Sequence, residues 1–308
     1  MISLIAASLV SSAYASDGAY VVGAFDASLF LGLDAERITR LAGAEGGEAD
    51  TVVDVDEGLS KFTAKAILSY GIVRNVELEL TVPYSYNRAN RTDGPLCTAL
   101  AGGCAASEGI GVVEAQGKFL ALDELAGAPL SLAVGGEARF GQFTWETRDR
   151  LTNLGEGTFD LGGLLGLGRS GGLGASGYWA ASATAGARYR FPNTDVGGEP
   201  SPGWETYGYG SFSIAPLGSW SLGPTVAWFF RPNGTDVATS NFADPDWIGA
   251  LRVEKVAVGG ALYVRAQQGV ALSFSVHHNV HVVNNPTDAL LVGVGLQIDR
   301  LGFRKEEP

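Results

Sequence analysis

The three histidines of the chain sit together, in Ser275-Val276-His277-His278-Asn279-Val280-His281. Serine, histidine and asparagine within hydrogen-bond reach are the parts of a nucleophilic hydrolase, because an imidazole can take the proton of a serine hydroxyl. Alternation puts His277 and His281 on one face with Ser273, Ser275 and Asn279, yet four residues of extended chain hold the two rings about 13–14 Å apart. That is too wide for one shared metal ion, so the expectation is a polar lining with no metal or catalytic centre. A second set is charged: Glu77, Glu79, Glu114 and Glu137 against Lys118, Arg139, Arg188 and Arg190. On the polar faces of neighbouring strands such groups can form a ring that selects a small solute, or pair with one another for stability alone. Both readings stay open at this point.

Cys97 and Cys104, the two cysteines, are spaced too widely for a zinc or thioredoxin-like motif, and no second pair exists. In an exported chain they are expected to form a disulfide closing a small loop, which stabilises by roughly 2–3 kcal/mol in the loop-entropy picture. Residues 45–57 carry Glu45, Glu48, Asp50, Asp54, Asp56 and Glu57 without the spacing of a calcium loop, and are expected to be a solvated acidic loop. The glycine-rich stretch 161–174 has Gly-x-Gly fragments with no helix after them, so no phosphate site and no cofactor is expected. A net charge of −12 argues against nucleic acid as a partner.

These residues ride on segments with a period of two. From Val76 to Tyr86, Val76, Leu78, Leu80, Val82, Tyr84 and Tyr86 fall on one face, and Glu77, Glu79, Thr81 and Ser85 on the other. About twelve such segments follow one another: near 19–33, two arms between 59 and 88 around an Arg74-Asn75 turn, then 110–122, 130–145, 157–170, 176–191, 204–215, 219–231, one ending near 265, 270–283 and 289–299. The connections alternate long and short, most segments reach the roughly 9–11 residues a strand needs to cross a bilayer, and Trp145, Trp179, Tyr189, Phe191, Trp204, Trp220 and Phe230 gather near segment ends. The expected fold is therefore all-β: a transmembrane, antiparallel, up-and-down barrel of about 12 strands. Its apolar faces meet lipid, its polar faces meet the lumen, and both termini are periplasmic.

Residues 1–15 read as a signal peptide, with an apolar run from Ile2 to Val10 and an Ala13-Tyr14-Ala15 cleavage pattern, leaving 16–308 as the barrel. The expected location is a bacterial outer membrane. The expected partners are outer-membrane lipid and lipopolysaccharide, a small-molecule solute, and the barrel-assembly machinery, to which Phe303 offers an imperfect aromatic signal.

The stretch Ser69-Tyr-Gly-Ile-Val-Arg-Asn-Val-Glu-Leu-Glu-Leu-Thr-Val-Pro-Tyr84 resembles the outer-membrane family of the MetA pathway of phenol degradation. There a strand ends in Tyr-Gly, a polar turn follows, and an alternating strand closes with Pro-Tyr. Residues 109–118 look like that family's next strand, with Val112 where its Asp stands. The resemblance implies a barrel that passes hydrophobic or aromatic compounds and carries no catalytic residues over. A rival is an outer-membrane lipid hydrolase of the phospholipase A type, also of about twelve strands, whose His-x-Ser-Asn-Gly type signature is absent here. A non-conducting structural barrel is the remaining alternative.

Overall fold

The computed structural model describes residues 19–42, 51–90, 93, 103–141, 154, 157–174, 177–191, 203–217, 219–233, 252–267, 269–283, 289–299 and 301, with backbone alone at 41–42 and 51–57. The strands are β1 (Ala27–Ala42), β2 (Thr51–Val73), β3 (Val76–Ala89), β4 (Ser107–Ile110), β5 (Val113–Leu122), β6 (Ser131–Phe140), β7 (Phe159–Leu173), β8 (Gly177–Arg190), β9 (Gly203–Ala215), β10 (Trp220–Arg231), β11 (Val253–Gln267), β12 (Val270–Val283) and β13 (Leu290–Asp299). Every neighbouring pair is antiparallel, and β1 pairs with both β2 and β13, which closes the sheet. Because β4 and β5 both lie against β3, end to end, the thirteen strands make twelve crossings. The interruption falls beside Pro83, whose missing N–H removes a ladder donor; Gly111 N–H donates to the Pro83 carbonyl at 2.9 Å and the pairing resumes beyond it.

Loop lengths sort by end, except that 123–130 is as long as 43–50 and 284–289 is brief. Residues 74–75, 123–130, 174–176, 216–219 and 268–269 join strands at one end, the short-turn end; 43–50, 90–106, 141–158, 191–202, 232–252 and 284–289 join them at the other, the long-loop end. Alternation sorts the side chains by face. Along β3, Leu78, Leu80 and Tyr84 are exposed on the outer wall, while Glu77, Glu79 and Ser85 are buried inside. Aromatic residues band the outer wall near both ends. Phe140, Phe159, Phe191, Tyr189 and Trp204 form a chain with ring centroids 5.1–5.7 Å apart at the long-loop end, and Trp179 stacks on Phe212 at 6.4 Å toward the other. Ten residues separate Trp179 from Tyr189 on β8, about 34 Å of strand, which at the usual tilt is close to the roughly 25 Å apolar band of such barrels.

Two boundaries differ from the sequence reading. Residues 34–58 were expected to be loop, but β1 continues through Asp34 and Glu36 to Ala42, and β2 starts at Thr51. The carboxylates that suggest a loop are inward strand residues: Asp34 pairs with Lys65 at 3.2 Å, and Glu36 faces Lys255 and Lys61. Conversely, residues 19–26 are not strand; they cross the short-turn mouth. The stretch 1–15, Glu45, Glu48, Asp50, Cys97 and Trp145 lie outside the described residues.

Replacing an outward mid-strand residue tests the assignment of faces. Leu165, 54% exposed on β7, changed to Arg should lower the unfolding free energy in vesicles by about 2–4 kcal/mol, the cost of a cation at the bilayer midplane; a denaturant titration reads it.

Candidate functional site: the charged inner wall

Six neighbouring strands, β5 to β10, present one continuous ionic layer inside the long-loop half of the barrel. Its centre is Glu205, fully buried on β9. Arg188 Nε donates to it at 2.8 Å, Arg190 Nη1 at 3.0 Å and Arg231 Nε at 2.8 Å. Asp160 accepts from Arg190 Nε at 3.2 Å, Arg139 Nη1 at 3.4 Å and the Thr158 hydroxyl at 2.8 Å. Arg139 Nε also reaches Glu114 at 3.2 Å, and Gln116 donates to Glu114. Glu137 accepts from the Tyr207 hydroxyl and lies 3.7 Å from Arg188 Nη1. The Arg188 guanidinium sits over the Tyr207 ring at 4.8 Å and the Phe229 ring at 5.9 Å. A buried ion costs several kcal/mol of solvation, which its partners offset only when its hydrogen-bonding groups are met. Three arginines satisfy the Glu205 carboxylate, while both Nη atoms of Arg188 stay buried without a hydrogen-bond partner among the described residues and rest on the ion pair with Glu137 and the Tyr207 and Phe229 rings.

The opposite wall is mixed. Asp34 and Lys65 pair beneath Phe30, with Lys65 Nζ 5.3 Å from the ring centroid, and His277 bonds to the Thr225 hydroxyl at 2.8 Å. Two apolar clusters also lie on the inner face, Phe30, Ile67 and Ala261 with Tyr263, and Tyr209, Ala227, Ala257 and Leu291, the second shared with β9 and β10 of the ionic layer. Among the described residues, the inward charges between the mouths balance. Asp34, Glu36, Glu77, Glu79, Glu114, Glu137, Asp160 and Glu205 face Lys61, Lys65, Lys118, Arg139, Arg188, Arg190, Arg231 and Lys255. The chain's net charge of −12 therefore belongs elsewhere than this wall.

At the short-turn mouth, residues 19–26 are tied across the opening. Val22 N–H donates to Glu77 Oε2 at 2.5 Å, Lys118 Nζ bonds to the Tyr20 carbonyl at 3.4 Å and to Glu77 at 3.0 Å, and Phe25 N–H donates to the Gly71 carbonyl at 2.7 Å. Gly71 and Gly168 make the room: a Cβ would lie 2.1 Å from the Gly23 carbonyl oxygen at the first, and 2.9 Å from the Tyr20 ring at the second. The Tyr20 hydroxyl donates to Glu124 at 2.9 Å, and Glu124 also accepts from the Ser170 hydroxyl at 2.6 Å and the Ser170 N–H at 3.0 Å. Burial, then the bond to Glu124, pushes the Tyr20 phenol up to about 12, so it remains a donor at neutral pH. Burial opposes ionisation of Glu124, but the Ser170 and Tyr20 hydrogen bonds outweigh it and hold the carboxyl below its ordinary value.

Of the residues singled out in the sequence, Glu77, Glu79, Glu114, Lys118, Glu137, Arg139, Arg188, Arg190 and His277 lie on the inner face. Glu79 accepts from Ser69 at 3.2 Å. His281 does not join them. A bulge at Val280 puts His281 opposite Val256 while Asn279 stands opposite Ala257, and the imidazole turns outward, 46% exposed, 3.3 Å from Glu254. His278 is outward, as alternation requires, His281 joins it there against expectation, and His277 and His281 do not form a pair. Glu205, Asp160, Arg231, Tyr207, Asp34, Glu36, Lys61, Lys65 and Lys255 were missed; inward parity was the signal, visible in Glu205-Thr-Tyr207 and Asp34-Ala-Glu36. Cys104 is buried, with Cys97 outside the described residues.

No family model and no curated protein matches the sequence. Among solved structures, the chain is similar to an outer-membrane channel of Pseudomonas putida F1, with a TM-score of 0.65, 15% identity, and 92% of this chain and 97% of that chain covered. The transport unit of the autotransporter AIDA-I from Escherichia coli aligns with a TM-score of 0.46 and 8% identity over 88% of this chain and 90% of that one. The toluene transporter TodX of Pseudomonas putida aligns at 0.40 and 10% over 96% and 93%. At those two scores nothing further is argued from them. The chain is a closed β-barrel of the outer-membrane type, with twelve crossings and an ion-paired inner wall.

Glu205→Gln should destabilise the protein by about 3–5 kcal/mol, because it leaves buried guanidinium groups without their counter-charge; Glu254→Gln, which loosens only the exposed contacts with Arg252 and His281, should cost about 1 kcal/mol or less. Denaturant midpoints separate the two. The mouth should respond to acid. Because Glu124 has a lower pKa folded than unfolded, its contribution is full above the ordinary carboxylate range of about 4.3 and is lost as pH falls through the depressed value. A nitroxide on Ala24→Cys should gain a mobile component in acid, and Glu124→Gln should show that component at neutral pH.

Proposed function

We propose that the protein is an outer-membrane channel or transporter for small hydrophobic or aromatic solutes, with the long-loop end outside the cell and both termini in the periplasm. The observation that carries this reading is the mixed, polar and apolar, inner wall of a closed barrel. An ionic layer runs across β5 to β10, and apolar groups lie beside it on the inner face, Phe30–Ile67–Ala261–Tyr263 on β1, β2 and β11 and Tyr209–Ala227–Ala257–Leu291 on β9, β10, β11 and β13. These side chains are buried against one another, so an aromatic solute passes by displacing the apolar contacts, with polar groups of the inner wall beside it to meet its own. The resemblance of Ser69–Tyr84 to the phenol-degradation family supports the same solute class, and the barrel fold supports the location. Residues 19–26 occupy the path at the periplasmic mouth, so conduction goes with their displacement. Residues 1–15 act as the export signal, 16–308 form the barrel, and Cys97 and Cys104 close a disulfide in the external loop.

The placement of the histidines favours a channel over a lipid hydrolase. His277 is bonded to Thr225 inside the wall and His281 faces outward, so they do not share one site.

Reconstituted in planar bilayers, the protein should show single-channel current, and Tyr20→Ala with Glu124→Ala should raise the open fraction several-fold by freeing the mouth. Proteoliposomes should take up phenol or benzyl alcohol faster than a hexose of similar size. Absence of current together with uptake equal to that of protein-free vesicles would sink the proposal in favour of a structural barrel.

A further inference from the structure

The outer wall of β12, β13, β1, β2 and β3 is built in three levels whose chemistry changes along the strands. At the level nearest the long loops, one cross-strand row reads His278, Leu290, Arg37, Ser60, Arg88, each opposite the next. All five belong to the outward face. The two arginines are exposed and make no ion pair or side-chain hydrogen bond among the described residues. With one strand between them, their Cα atoms are about 9–10 Å apart, and the Ser60 hydroxyl, 3.4 Å from Asn90 Oδ1, lies in the gap. His278, the polar interruption in an otherwise apolar outward face of β12, falls at the same level on the far side of Leu290. Glu108 on β4, opposite Tyr86, edges the row and pairs with neither arginine among the described residues.

Two residues further along each strand the next row holds Phe62 and Tyr86, side by side, with Ala35, Val292 and Val276. Two residues beyond that, the wall sinks into an open, apolar groove of about 770 Å³ that includes Leu33, Ala64, Tyr84, Val294 and Phe274. The groove is within the roughly 300–1,000 Å³ of ligand sites. It starts about 13–14 Å from the cationic row, four residues at about 3.4 Å each. The small residues Ala35 and Ala64 leave its upper end unobstructed.

Cations, then an aromatic step, then an apolar trough, all on the same five strands, match the cross-section of a lipid leaflet. Arginine pairs with phosphate by parallel N–H contacts, and unpaired guanidinium groups at the membrane surface attract anionic headgroups. Their placement here stands out in a chain whose net charge is −12. We propose that this face is a binding site for one phosphorylated, multi-acyl glycolipid of the outer leaflet, the chemistry of lipopolysaccharide: Arg37 and Arg88 clasp its phosphate groups, Ser60 bonds between them, His278 borders the headgroup, and acyl chains lie in the groove. The assignment of leaflet rests on the orientation proposed above.

The test uses the full barrel in detergent micelles, where orientation does not enter, with bis-phosphorylated lipid A as probe, read by native mass spectrometry and fluorescence titration. Wild-type protein should bind one lipid A, and fully dephosphorylated lipid A at least tenfold more weakly. Arg37→Ala with Arg88→Ala should weaken lipid A binding tenfold or more, whereas Arg74→Ala at the short-turn end should leave it unchanged. Ala64→Phe, which fills the groove from an outward position, should weaken binding of both lipids. Circular dichroism and unheated gel mobility confirm that each variant is folded. Equal affinity for the two lipids, equal affinity of wild type and the double-arginine variant, or a dimer that buries the groove without lipid overturns the site. Orientation is read separately by antibody against an epitope inserted after residue 240 in intact cells. Labelled cells with no phosphate preference in micelles overturn the lipid site alone, and unlabelled cells with the preference intact overturn the leaflet assignment alone.

Discussion

In hydrocarbon an unpaired backbone N–H or C=O costs several kcal/mol, since no water can replace the missing partner. The seam between β1 and β13, where Ser28 to Arg37 run opposite Asp299 to Leu290, is therefore the contact on which the rest depends. Without it two strands would present open edges to lipid. With it, the faults in the ladder are local: bulges shift the register by a residue or two, and beside Pro83, where Gly111 bonds to the proline carbonyl, the strand is cut into β4 and β5. Closure also gives every strand an inside and an outside, and from there a period of two decides the fate of each side chain.

That sorting explains how so many ions can be buried. Arg188, Arg190 and Arg231 come from the strands on both sides of Glu205, so the pairing of β8, β9 and β10 brings them to one carboxylate without any loop having to fold over it. Most of these ions are held by neighbours on adjacent strands, in the manner of cross-strand pairs, whereas Glu137 on β6 reaches Arg188 on β8 and Tyr207 on β9. Of the two readings left open by the sequence, the pairing of these charges with one another is what the geometry displays.

How much of this was legible depended on whether parity ran unbroken. Val76 to Tyr86 alternates without a fault, and both its faces were assigned correctly, as were the class of fold and the number of crossings. Asp34 and Glu36 were read as loop because carboxylates are poor strand formers; only Lys65, Lys61 and Lys255, distant in sequence, make them strand residues. Tyr20 and Val22 have the spacing of a strand but cross the mouth, since their partners are Glu124 and Glu77 rather than a neighbouring ladder. His281 was misplaced by a single extra residue, Val280, which alternation cannot detect because a bulge reverses every face beyond it. Glu205 and Arg231 fell inside the expected strands 204–215 and 219–231, but each is a single charge in a mostly uncharged strand, and so escaped notice although they anchor the ionic layer.

The attachment of residues 19–26 to β1 has a consequence for the order of assembly. Contacts between β1 and β13 join the most distant strands of the chain, and such non-local pairing is formed late because its loop closure is costly. The mouth segment leads directly into β1 at Ala27, and its anchors on Glu77, Lys118 and Glu124 belong to strands and a turn that lie apart until the cylinder has shape. It can be seated only as the final seam zips. A barrel still open along that seam would expose both an unpaired edge and an empty vestibule, so the seated segment marks the molecule that has finished folding.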